Sequence, residues 1–239
     1  MVRSTKGGSA GQGAGGTRKL AVRLRTAKGR KIASTRWLQR QLNDPYVEEA
    51  KRRGLRSRAA FKLSEIDDKQ HLLKPGLTVV DLGAAPGGFS QVAAKRVRTA
   101  EGKGRVIAAD LNKIEPIQGV EVLRLDISNA GAAEAIKAAL GRSLADVVLS
   151  DMAAPAMGHK QTDHLRMMAL AEAALDLAED VLAPGGAFLA KVLQGGAGQE
   201  LVARLKRGFA KVQHVKPKAS RADSAEVYVL ATGFRGAQR

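Results

Sequence analysis

The run Thr78-Val-Val-Asp-Leu-Gly-Ala-Ala-Pro-Gly-Gly-Phe89 constrains this chain more than any other stretch. An apolar segment ends near an acidic residue, turns tightly on glycines and opens into a helix, the first strand-turn-helix unit of an α/β fold. Gly83, Gly87 and Gly88 lack a Cβ, so the turn can bring its backbone against a nucleotide-like ligand. A dinucleotide loop, G-x-G-x-x-G, would need glycines at 83, 85 and 88, and position 85 is alanine. No Gly-Lys-Ser/Thr follows, which excludes a P-loop. What remains is the loop typical of S-adenosylmethionine (SAM) enzymes, whose adenosine carries no phosphate to cradle. A plain turn that favours glycine is the alternative.

After this unit, strand and helix patterns alternate. Strands are expected at 78–82, 105–109, 121–125, 146–150, 187–192, 211–215 and 226–232, and helices at 88–97, 132–140, 164–182 and 199–209. Such βαβ alternation predicts a doubly wound, Rossmann-like α/β sheet of seven strands, mostly parallel, with helices on both faces and ligands at the carboxyl ends of the strands. The last two strands are joined by a short Pro217-Lys-Ala-Ser-Arg segment, so the last is expected to run antiparallel. Residues 1–33 read as a basic, Gly-rich extension without fixed structure, 34–76 as a helical part, and 77–233 as the α/β core of a domain spanning 34–239.

Charge is concentrated at the N-terminus. Residues 1–60 hold 16 Lys and Arg against three acidic residues, a net of +13 out of +17 for the chain. Clustered cations of this kind displace counterions from a polyphosphate backbone, and the stretch lacks the apolar face of a membrane-surface helix. The chain has no cysteine and only four histidines without ligand-like spacing, so a disulfide framework, a thiolate metal site and a cysteine nucleophile are excluded and no metal is expected. No apolar run reaches the roughly 20 residues of a membrane span. A monomer in the cytoplasm is the expectation.

Polar residues fall where such a sheet places its ligands. Asp81 and Gly83 end the first strand, Asp110 the second, Asp126 the third, Ser150 and Asp151 the fourth, and Lys191 lies near the end of the fifth. A carboxylate after the second strand can accept both hydroxyls of a ribose, which selects Asp110; Asp126 is placed to meet the adenine amino group, and either could instead cap a helix or turn. Lys191 interrupts the apolar run Ala187-Phe-Leu-Ala-Lys-Val-Leu193, where a lysine loses hydration unless it has a partner or a task. Asp151 on the neighbouring strand is such a partner, and burial beside a second cation makes a lysine a better base. A purely structural ion pair is the alternative.

Several dispersed motifs agree in order and spacing with one family. Ser34-Thr-Arg-Trp-Leu-Gln, Asn43-Asp-Pro-Tyr-Val, Gly54-Leu-Arg-Ser-Arg-Ala-Ala-Phe-Lys-Leu63, Asp81-Leu-Gly-Ala-Ala-Pro-Gly-Gly-Phe-Ser90, Ser150-Asp-Met-Ala153, Leu182-Ala-Pro-Gly-Gly186, Lys191-Val and Ser220-Arg-Ala with Glu226-Val-Tyr228 resemble the FtsJ-type (RlmE) ribosomal RNA large subunit methyltransferases. The resemblance runs from about Ser34 to Gly233. It implies SAM-dependent methylation of a uridine 2′-hydroxyl in large-subunit (23S) ribosomal RNA within the ribosomal particle, in the course of ribosome biogenesis. It also implies a catalytic tetrad at Lys62, Asp151, Lys191 and Glu226, and cofactor contacts at Gly87, Phe89, Asp110, Asp126 and Asp151. Phe89 stands where the best-known members carry tryptophan, and the loop 153–159 departs from the family pattern.

The chemistry fits those four residues. A 2′-hydroxyl is a weak nucleophile that must be aligned with the sulfonium methyl and relieved of its proton as the bond forms. Lys191 is the expected base, Asp151 holds it, Lys62 orients the hydroxyl and Glu226 steers Lys62. Arg56 and Arg58, just before Lys62, are the expected phosphate ligands. Other readings are a methyltransferase of tRNA, cap or organellar ribosomal RNA, and a non-catalytic assembly factor that binds RNA.

Overall fold

The computed structural model describes residues 38, 41–155, 157–194, 198–221 and 223–236. The extension 1–33 expected from the sequence therefore lies outside the described residues. Two compact units divide at Asp44 and Pro45; the described part of the first is Leu38 with 41–44, and the second, Pro45–Arg239, holds the elements that follow.

Helices α1 (Pro45–Arg52) and α2 (Ala59–Gln70) lead into β1 (Thr78–Leu82), α3 (Gly88–Val97), β2 (Arg105–Asp110), β3 (Val120–Arg124), α4 (Ala132–Leu140), β4 (Ala145–Ser150), α5 (Lys160–Val181), β5 (Leu182–Leu193), α6 (Gln199–Gly208), β6 (Phe209–Val215) and β7 (Glu226–Phe234). The seven strands lie in one sheet in the order β3-β2-β1-β4-β5-β7-β6. β1 to β5 pair in parallel, and β7 is antiparallel to both its neighbours. The fold class predicted from the alternation is the one observed, with the antiparallel last strand inserted between β5 and β6.

The strand sequences explain the layers. Successive side chains of a strand point to opposite faces, and a sheet covered on both faces needs apolar residues at nearly every position. Val80, Val148 and Ala190 accordingly join the core built with α4, α5 and α6, whereas Val79, Val147 and Leu189 join the core built with α2 and α3. The same parity puts Asp81, Lys191 and Tyr228 on the α2–α3 face, because their chain neighbours Leu82, Val192 and Val229 belong to the other core. Three buried polar side chains thus share the face that α2 covers, and α2 carries Lys62.

Several boundaries differ from the sequence reading, three of them as follows. Helix α5 begins at Lys160, four residues early, on a polar first turn where Asp163 accepts the N–H groups of Met157 (2.7 Å) and Gly158 (3.2 Å). Strand β5 starts at Leu182, which pairs with Ala145 across an irregularity in register before the regular ladder begins. Strand β3 starts at Val120, one residue earlier than expected.

Candidate active site

At the carboxyl ends of β1, β2 and β4 lies a cavity of about 550 Å³, within the size range of small-molecule sites. Gly83, Ala85, Asp110, Asn112, Leu125, Asp126, Asp151, Met152 and Pro155 are among its lining residues. Asp110 is nearly buried, and its carboxylate is fixed from both sides: Oδ2 accepts the Ala85 N–H (2.9 Å) and Oδ1 accepts the N–H (2.7 Å) and side-chain amide (3.1 Å) of Asn112. Asp126 accepts the N–H and hydroxyl of Ser128 (3.0 and 2.6 Å), and these bonds hold its carboxyl below the usual range. A pocket lined by two fixed carboxylates, a glycine turn and the apolar Leu125, Met152 and Pro155 fits a small ligand that presents hydroxyl and amine donors beside apolar surface.

The glycines of the turn have different neighbours. Gly83 lines it, and its positive φ of 69° together with the closeness of Met152 makes glycine necessary there. Gly87, with a φ of 113°, is crowded instead by protein: a Cβ would come within 2.6 Å of Ile117 Cδ1 and 3.1 Å of Arg56 Cδ. Gly88 is crowded by Ser57. The absent side chains of Gly87 and Gly88 leave room for the segment that precedes α2, which brings that segment against the glycine turn. The ring of Phe89 is buried in the α2–α3 core, 6.2 Å from the ring of Tyr228.

Next to the cavity, two ion pairs meet at one tyrosine. Lys191 Nζ donates to the Asp151 carbonyl (2.7 Å) and to Asp151 Oδ1 (2.9 Å), and Lys62 Nζ donates to Glu226 Oε2 (3.1 Å). Both lysines are 6% exposed, so neither is a solvated surface charge and each needs the partner it has. Tyr228 donates its hydroxyl to Asp151 Oδ1 (2.6 Å), and the Lys62 ammonium lies 5.8 Å from the centre of its ring. The antiparallel register makes this possible, setting Tyr228 opposite Lys191 and Glu226 opposite Leu193. Burial and the neighbouring Asp151 push the Tyr228 hydroxyl well above its ordinary value, which keeps it a donor. Burial pushes Glu226 up too, but the charges of Lys62 and Lys191 outweigh it and hold the carboxyl below its usual range.

All four residues of the expected tetrad are thus brought together, and Asp151 belongs both to the cluster and to the cavity wall. Tyr228 is the participant that the sequence reading missed. Asp81, beneath the glycine turn, is wholly buried; its Oδ2 accepts the Ser90 hydroxyl (2.6 Å), and burial pushes its carboxyl up to about 7. Arg56 and Arg58, expected on phosphates, spend donors on this chain: Arg56 on the carbonyls of Pro86, Glu115 and Pro116, and Arg58 on that of Ala219. Among the described residues no helix is long and apolar enough to cross a membrane.

Comparison with known proteins adds to this geometry. A family model described as FtsJ-like methyltransferase matches residues 55–234. A curated relative from Parvibaculum lavamentivorans, named ribosomal RNA large subunit methyltransferase E, is 60% identical over 99% of this chain and 96% of its own length. One of the same name from Xanthobacter autotrophicus is 61% identical over 92% of this chain and 86% of its own. A crystal structure described as a ribosomal RNA methyltransferase from Plasmodium falciparum superposes with a TM-score of 0.68 at 31% identity, covering 76% of this chain and 99% of the other.

Proposed function

The chain belongs to the FtsJ-like methyltransferase family, and from that premise we propose that it methylates the ribose 2′-hydroxyl of a uridine in large-subunit ribosomal RNA, with SAM as methyl donor and the ribosomal particle in the cytoplasm as substrate. One observation carries the reading. Asp151 lines the cavity and at the same time grips Lys191, so a methyl donor seated there lies beside a lysine held by two hydrogen bonds.

When bound, SAM supplies an electrophilic methyl group on a sulfonium. Asp110 would accept the ribose hydroxyls and Asp126 the adenine amine, both carboxylates already being fixed by backbone N–H groups. Lys191, as the free amine, which can still donate both hydrogen bonds to Asp151, takes the proton of the 2′-hydroxyl as the oxygen–carbon bond forms and the methyl leaves the sulfur, an action worth typically 10²–10⁴ in rate. Asp151 aims the Lys191 amine, and Tyr228, by occupying the same carboxylate oxygen, keeps Asp151 in place. Lys62 holds the hydroxyl oxygen in line, steered by Glu226. The basic N-terminal part supplies the phosphate contacts that seat the RNA.

The test is methyl transfer from labelled SAM to large ribosomal particles, with free nucleosides and tRNA as controls and the modified position mapped by resistance of its 3′ linkage to alkali. Lys191→Ala should lower turnover by roughly 10²-fold or more while SAM binds nearly as before. Transfer to free nucleosides alone, or equal loss of rate and cofactor affinity in the variant, would overturn the proposal.

A further inference from the structure

Arg56 ties together parts of the molecule that serve different halves of the reaction. Its guanidinium donates to the carbonyls of Pro86 (3.2 Å), Glu115 (2.5 Å) and Pro116 (2.6 Å). Pro86 belongs to the glycine turn and directly follows Ala85, a cavity residue; Glu115 and Pro116 belong to the loop after β2, which begins with the cavity residues Leu111 and Asn112. Beside this fork runs a second rung. The Arg56 N–H donates to Gln91 Oε1 (2.8 Å), and Gln91 Nε2 donates to the Gly54 carbonyl (3.1 Å), which anchors the same segment to the first turn of α3. The arginine stem packs where Gly87 has no side chain. Six residues after Arg56, α2 presents Lys62 to Glu226.

We infer that Arg56 is a positioning residue, which locks the glycine turn, the loop after β2 and the helix of Lys62 into one unit so that the methyl-donor cavity and the lysine facing the RNA hydroxyl stay in register. The inference rests on the function proposed above. It differs from the phosphate-ligand role in what the arginine is for. A phosphate ligand needs its charge, which lysine also has, whereas a strut between three carbonyls needs the planar fork, which lysine lacks.

The test compares the full-length wild type with Arg56→Ala and Arg56→Lys. SAM affinity is measured calorimetrically without RNA, and affinity for large-subunit ribosomal RNA is measured across a salt series without SAM. As a strut, both variants should bind SAM roughly tenfold more weakly, about the worth of one net hydrogen bond, with lysine no better than alanine and the salt slope for RNA unchanged. A slope reduced by about one with SAM affinity intact, or full rescue by lysine, would overturn the inference. If Arg56→Ala does not fold, Gln91→Ala, which removes only the second rung, must also weaken SAM binding; unchanged affinity there counts against the lock. Failure of the wild type to bind SAM or to methylate RNA would count against the function itself, whatever the variants do.

Discussion

Replacing Asp81 by asparagine should make the protein more stable, and by an amount that depends on pH. The carboxyl is 0% exposed, its Oδ2 is engaged by Ser90 and its Oδ1 has no hydrogen-bond partner among the described residues, so its charged form is poorly supported. Burial lifts it from an ordinary 3.8 to about 7. Between those two values the folded protein holds a proton that the unfolded chain has released. Stability therefore falls as pH rises through this window and levels off above it. A shift of a little over three units at about 1.36 kcal/mol each gives a loss of about 4 kcal/mol between pH 4 and 7.5. Asparagine carries no charge at any pH and keeps an oxygen for the Ser90 hydroxyl. Carboxylates held low, such as Glu226, move stability the opposite way but are common to both proteins, so they cancel in the difference. Urea unfolding of both proteins at pH 4.5, 6, 7.5 and 8.5 should show the advantage of Asp81→Asn growing toward about 4 kcal/mol and then holding constant. A difference that is flat across this range would refute the argument that Asp81 is forced to ionise in a site that does not support the charge.

Asp110→Ala should weaken SAM by roughly 1–3 kcal/mol, since the ribose hydroxyls lose a charged acceptor already held by Ala85 and Asn112; unchanged calorimetric affinity would place the ribose elsewhere. Tyr228→Phe removes only the hydroxyl that fixes Asp151, and should lower turnover by roughly tenfold with the KM for SAM little altered. Wild-type turnover in that variant would show that Lys191 alone orients Asp151.

The parts of the fold that rest on local pattern were legible in the sequence. β1, α3 and α4 begin and end at the expected residues because glycine turns and apolar periodicity mark them. The start of α5 was not legible, because the turn Lys160–Asp163 carries no apolar periodicity and is held by the Asp163 carboxylate across the preceding loop. For the site, residue types that are costly to bury were good guides: Lys191 stood out in an apolar strand and is paired as expected with Asp151, just past the end of β4. Tyr228 did not stand out, since a tyrosine in an alternating strand reads as core. Only the pairing of β5 with β7 sets it opposite Lys191, and nothing local specifies which strand β7 will join. The contacts of Arg56 were not legible for the opposite reason. Its charge read as a solvent-facing phosphate contact, but its acceptors are backbone carbonyls 30 to 60 residues further along the chain, which no local pattern discloses.

The place of β7 bears on the order in which the sheet and the candidate site are assembled. It is synthesised after the other six strands yet lies inside the sheet, between β5 and β6, so those two cannot close on each other first. Glu226 and Tyr228 arrive with it. Until β7 threads in, Lys62 has no carboxylate beside it, the anchor on Asp151 is missing its hydroxyl, and the β5 and β6 edges stand open to other chains. A nascent chain that has already folded its glycine turn and cavity carboxylates therefore lacks Glu226 beside Lys62 and Tyr228 beside Asp151, and on the function proposed above the core and the site would be completed together.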